Sequence, residues 1–132
     1  MDKEFKIIIA DRNRNVRNLL QRELFDEGYR VILAGEDREL LRLLHDDDTA
    51  DLLILDPDIP CHVTLSELIN LIHGRRPTLP IVIYTFFSDD LNYKDMPGVT
   101  ICLEKGEDIS LVRTMVADLI KKYYSRFNGG GG

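Results

Sequence analysis

Cysteine is scarce in this chain of 132 residues. Cys61 and Cys102 are far apart and belong to no CxxC pair, which excludes a disulfide framework and supplies no zinc spacing. Long apolar runs are also missing. Nothing approaches the ~20 consecutive apolar residues of a membrane span, and the charged start Met1-Asp2-Lys3-Glu4 has no apolar stretch behind it. Positive charge is in deficit as well: the net charge of -6 argues against general affinity for nucleic acid or anionic membranes, because a negative surface repels phosphate. The expectation is a cytoplasmic protein with reduced thiols and a soluble partner.

What is present is a 44% share of hydrophobic residues, enough at this length to build one core. They fall in short runs. Phe5 to Ala10, Tyr29 to Ala34, Asp51 to Leu55, Pro80 to Tyr84 and Val99 to Leu103 each predict a strand buried on both faces. Between them apolar residues recur at helical spacing. Val16, Leu19, Leu20 and Leu24 run to a stop at Gly28, with Asn13 or Asn15 as cap. Leu40, Leu41, Leu43 and Leu44 form a second helix, broken by Asp46-Asp47-Asp48-Thr49. Thr64 and Glu67 have capping-box spacing before Leu65, Leu68, Ile69 and Ile72, and Gly74 stands where that helix should end. Ser88 to Pro97 is polar and allows only a brief helix. Val112, Met115, Val116, Leu119, Ile120 and Tyr123 share one face of a last helix ending near Tyr124. The domain is expected over 4–124 and a flexible tail over 125–132, since Gly129 to Gly132 has no side chains to pack.

Five such strands alternating with helices, without a hairpin signal, predict a (βα)5 parallel sheet covered on both sides. Ligands of such sheets bind beyond the carboxyl ends of the strands. Four strands end in chemistry there: Asp11, Asp56, Thr85 and Lys105. Taken singly, Asp56 reads equally as a turn former before Pro57, Lys105 as a solvated lysine and Thr85 as a strand-end cap. The joint pattern is what points to a site. Arg14 and Arg17 read as a solvated basic rim, His62 beside Cys61 as an ordinary loop residue, and His45 and His73 as helix-end residues.

IIIAD at the end of the first strand, DLLILDPDIP across the third, IVIYT at the fourth and ICLEK at the fifth stand in the order and spacing of a known family. Over about Lys6 to Tyr123 the chain resembles the receiver domain of bacterial two-component response regulators. The resemblance implies a flavodoxin-like, three-layer fold with strand order 2-1-3-4-5. It implies a phosphoryl group accepted on Asp56, Mg2+ held by Asp11 and Asp56, a phosphoryl oxygen paired with Lys105 and another hydrogen-bonded by Thr85. The implied partner is a histidine kinase or phosphotransfer protein. A homodimer through the face of the fourth helix, fifth strand and fifth helix is a further implied partner.

This chain departs from that pattern at four places. Arg12 replaces the second acid expected after the first strand, so Asp11, Asp56, Arg12 and Lys105 sum to zero charge before Asp58 is counted, and attraction for a divalent cation should fall. Asp58 offers a compensating carboxylate for the metal. Alternatively, the Arg12 guanidinium takes the cation's place beside Asp56. Phe86 stands where a small residue leaves the acceptor accessible, Cys102 where an aromatic switch residue is usual, and Gly106 where proline follows the lysine.

Two other readings compete. A pseudo-receiver would keep the fold and act as a phosphorylation-independent interaction or dimerisation module. Asp56-Pro57-Asp58 also resembles the DxD of haloacid-dehalogenase-type phosphatases, although there the motif ends the first strand. A flavodoxin-like cofactor binder would need hydroxyl or glycine residues where Arg12-Asn13-Arg14-Asn15 stands.

Overall fold

The computed structural model describes residues 4–46, 49–86, 92–106 and 108–129, with residues 92 and 125–129 as backbone only. The elements are β1 Lys6–Ala10, α1 Arg14–Asp26, β2 Arg30–Ala34, α2 Asp37–Asp46, β3 Leu52–Leu55, α3 Leu65–Arg75, β4 Ile81–Thr85, a 3-10 turn Asn92–Asp95, β5 Ile101–Glu104 and α4 Ile109–Gly129. All strand pairs are parallel, in the order β2-β1-β3-β4-β5. Both the flavodoxin-like class and the strand order agree with expectation.

The continuous apolar runs are explained by two cores. Because successive strand residues point to opposite faces, Ile8, Ala10, Leu53, Leu55, Ile81 and Ile83 pack with Leu40 and Leu44 of α2 and Leu68, Ile69 and Ile72 of α3. Ile7, Ile9, Leu52, Ile54, Val82 and Tyr84 pack with Leu20 and Leu24 of α1 and Val112, Val116 and Ile120 of α4. At the amino-terminal edge of the sheet, Lys6 donates its backbone N–H to Asp51 Oδ2 at 2.8 Å, and Tyr124 Oη donates to the Asp51 carbonyl at 2.6 Å. Burial and then the Asp51 charge push the Tyr124 phenol up to about 12. That contact ties α4 to the sheet on the side away from the strands' carboxyl ends.

Local signals set most element ends. Asn13, not Asn15, caps α1, its Oδ1 accepting from Asn15 N and Val16 N. Thr64 Oγ1 accepts from Glu67 N at 3.1 Å. Gly28 has φ 95° and stops α1. Gly74 does not stop α3, which continues to Arg75 and is closed by Arg76 N donating to Ile72 O. The fourth helix expected within Ser88 to Pro97 is, among the described residues, only the 3-10 turn; residues 88–91 lie outside them. The last helix runs past Tyr124 to Gly129, so its backbone occupies part of the expected tail, while residues 130–132 lie outside the described chain. No helix among the described residues is long and apolar enough to cross a membrane.

Gly98 is fixed by both conformation and space. Its φ is +90°, and a Cβ there would meet Ile69 Cγ2 at 2.6 Å and His73 Cε1 at 3.0 Å. Gly98→Ala therefore combines backbone strain with overpacking and should cost about 1–3 kcal/mol in urea unfolding. A stability equal to wild type would contradict this packing.

Candidate functional site

The last bonds of the sheet hold the four strand-end residues. Asp11 N donates to Ala34 O at 3.0 Å, Asp56 N to Ala10 O at 2.8 Å, and Lys105 N to Thr85 O at 2.6 Å. Asp11, Asp56, Thr85 and Lys105 are all buried. Thr85 closes β4 opposite Glu104. The parallel register thus delivers residues far apart in sequence to one edge.

Lys105 is the hub. Its Nζ lies 2.8 Å from Asp11 Oδ2 and 3.6 Å from Asp56 Oδ1, with the Tyr84 and Phe86 ring centroids at 5.8 and 5.4 Å. Asp11 Oδ1 accepts from Asn13 N at 2.8 Å. Asp56 Oδ1 accepts from Asp58 N at 3.0 Å, and Oδ2 accepts from Arg12 N at 3.2 Å. The Arg12 guanidinium spans two acids: Nε is 3.6 Å from Asp56 Oδ2, and Nη2 is 3.7 Å from Asp58 Oδ2. Phe86 is exposed and faces Lys105, and Cys102 is half-buried against the α2/α3 core.

Burial raises the Asp11 carboxyl above its ordinary 3.8, and the Asp56 charge adds to that, while Lys105 and the Asn13 N–H pull the other way. Tyr84 is raised by burial and then by the Asp11 charge. Between 3.8 and the raised value, folded Asp11 keeps a proton that the unfolded chain has lost. Stability should therefore fall as pH rises through that window. Asp11→Asn lacks this titration, so the wild-type stability minus the variant stability should decline across it in urea titrations. A difference that is flat or grows with pH would contradict the raised value.

Three contacts were not legible in the sequence. Arg17 is not merely a solvated rim residue: its Nη1 donates to the Asp11 carbonyl at 2.6 Å. Buried Asp37, at the start of α2, accepts from His62 N at 2.8 Å and lies 3.1 Å from His62 Nδ1, while Asp37 N donates to Pro60 O. Burial alone would raise the Asp37 carboxyl, but the His62 and Arg38 hydrogen bonds outweigh it and hold it below the usual range. The loop following Asp56 is thereby tied to α2. An Asp one residue inside a helix is an ordinary first-turn acid, and no periodicity connects it to a loop histidine.

A parallel five-stranded sheet carrying buried acids and one lysine at its carboxyl edge defines a receiver-type architecture. The family model for the response regulator receiver domain matches residues 7–117, and the chain belongs to that family. It is a receiver domain of two-component signal transduction. The transcriptional regulatory protein CpxR of Klebsiella pneumoniae is 31% identical over 87 residues, covering 66% of this chain and 36% of CpxR. This chain thus spans about a third of that relative's length.

Among solved structures, the chemotaxis protein CheY4 of Vibrio cholerae matches with a TM-score of 0.77 at 21% identity, covering 89% of this chain and 99% of CheY4. The response regulator TrrA of Thermotoga maritima, in complex with Mg2+-BeF, matches with a TM-score of 0.73 at 24% identity, covering 87% of this chain and 98% of TrrA. These likenesses show the fold. Receiver domains interact with histidine kinases or phosphotransfer proteins, typically bind Mg2+, and are generally signalling rather than enzymatic modules. Membership leaves the phosphatase reading without support, as does the position of Asp56-Pro57-Asp58 after the third strand.

The residues present do not fit a divalent cation well. Mg2+ needs oxygen ligands in near-octahedral array. Asp11 Oδ1 and both Asp56 oxygens already accept backbone N–H bonds, Asp11 Oδ2 has no hydrogen-bond partner among the described residues and faces only the Lys105 ammonium at 2.8 Å, and Asp58 faces Arg12. No group of three or more His, Cys, Asp or Glu side chains placed to hold a metal occurs among the described residues.

Proposed function

We propose that this receiver domain accepts one phosphoryl group on Asp56 from the phosphohistidine of a histidine kinase or phosphotransfer protein. The observation that carries this is the Asp56 carboxylate, buried at the end of the central β3 and flanked by Lys105 on one oxygen and Arg12 on the other. A carboxylate is a weak nucleophile unless the charge developing on the transferred group is neutralised, and two adjacent cations do that. Lys105 holds a phosphoryl oxygen and Thr85 bonds another. The resulting shift in β4 and β5 alters the outer surface.

That surface has a receptive face. Ile101, Leu103, Leu111 and Met115 line a groove of about 440 Å³ between β5 and α4, with Ile101 and Leu111 exposed. It suits a protein partner or a second copy of the chain. A phosphorylation-independent pseudo-receiver is the second reading, favoured by one observation: Asp56 is 1% exposed beneath Arg12. Intact-mass measurement with a small phosphodonor separates the two. A single phosphoryl adduct lost in Asp56→Asn supports the first reading, and no adduct under saturating donor supports the second.

A further inference from the structure

We propose that Arg12 is a catalytic residue of the phosphoryl transfer, its guanidinium supplying the positive charge that Mg2+ supplies in receiver domains that bind it. The inference rests on Asp56 being the acceptor. Arg12 approaches Asp56 Oδ2 twice, with its backbone N–H at 3.2 Å and its Nε at 3.6 Å. Its position follows from the sheet: it comes directly after Asp11, whose N–H makes a bond to the end of β2. Lys105 takes the opposite oxygen, Oδ1. The acceptor thus has a cation on each oxygen before any ligand arrives.

Asp58, expected as a metal ligand, faces Arg12. Its Oδ2 lies 3.7 Å from Arg12 Nη2. Both side chains are more than half exposed, so the pair adds little stability. Its effect is orientation, turning the guanidinium toward the acceptor. With Asp11, Asp56 and Asp58 against Arg12 and Lys105, the formal charge is -3 + 2 = -1. A divalent cation entering beside Arg12 meets a like charge at contact distance and little net attraction.

The chemistry needs charge and no proton transfer. An Asp56 carboxylate oxygen attacks the phosphorus of an acyl phosphate, the phosphorus bond to the acyl oxygen breaks, and acetate departs with the electron pair. One anionic carboxylate is consumed and one released. The charge spread over the equatorial phosphoryl oxygens is met by Lys105 and by the planar guanidinium, which bonds two oxygens at once.

The test is labelling with acetyl phosphate, read by intact mass, in Mg2+ and in excess chelator, with Arg12→Ala, Arg12→Lys and Arg12→Asp beside wild type. Wild type should label at the same rate, within about twofold, in both conditions. Arg12→Ala should be slower by about tenfold or more in chelator; Arg12→Lys should recover part of the rate, and Arg12→Asp should label only with Mg2+. Wild-type labelling that requires Mg2+, or Arg12→Ala at the wild-type rate in chelator, overturns the proposal. Absence of a wild-type adduct in both conditions overturns the acceptor reading instead. Calorimetric Mg2+ titration of the same proteins reads the charge argument without phosphorylation, and equal affinity in wild type and Arg12→Ala contradicts it. Circular dichroism confirms that each variant is folded.

Discussion

Lys105→Met is expected to destabilise the domain by about 3–5 kcal/mol at neutral pH, the usual cost of leaving a buried charge without its partner. The lysine side chain is 4% exposed and sits 2.8 Å from Asp11 Oδ2 and 3.6 Å from Asp56 Oδ1. Methionine keeps much of the stem's volume but removes the charge, leaving two buried carboxylates beside each other. One of them must then take a proton or draw in water. Asp11 is the better site, because burial already raises its carboxyl and the Lys105 bond is the first force opposing that. In the variant the folded state binds this proton at a pH where the unfolded chain does not, so stability rises as pH falls toward 3.8. The deficit should shrink in acid, and Asp11→Asn added to Lys105→Met should restore most of the loss. Urea unfolding at several pH values reads all three effects. A deficit below about 1 kcal/mol, or one independent of pH, would mean the ion pair is not the principal satisfaction of these carboxylates.

Asp56→Asn is expected to abolish phosphoryl uptake, leaving the chain at its unmodified mass under conditions that add one phosphoryl group to wild type. Asparagine preserves shape and can still accept from Asp58 N and Arg12 N through its carbonyl, but an amide oxygen is a far poorer nucleophile than a carboxylate. The remaining acids do not substitute. Asp11 has Asn13 N on one oxygen and Lys105 on the other, each at 2.8 Å. Asp58 is more than half exposed, and it pairs with Arg12. A retained adduct in Asp56→Asn, mapped by peptide mass to Asp58 or Asp11, would contradict Asp56 as the acceptor. Removing one buried negative charge should leave the variant folded, which circular dichroism checks.

The class of fold was legible because its signals are local. The run Leu52 to Leu55 reads as a strand buried on both faces, and it is the central β3. Gly28 reads as a stop and takes the left-handed conformation that stops α1. Gly74 carries the same letter without that conformation, so α3 passes through it. Composition at the end of the chain suggested a tail where the helical backbone in fact continues to Gly129. A glycine permits a break and does not impose one.

The sequence by itself determined that Asp11, Asp56, Thr85 and Lys105 stand at strand ends, since strand and turn patterns are written in neighbouring residues. Only the tertiary structure decided which of them touch. The Arg12 contact with Asp56 joins residues 44 apart, and the Asp37 contact with His62 joins residues 25 apart. Such pairs depend on the parallel register and on the path of the loops, which no local period encodes. Asp56 and Asp58 are thus acids in the sequence, but the fold buries one between Lys105 and Arg12 and leaves the other exposed as a partner for Arg12.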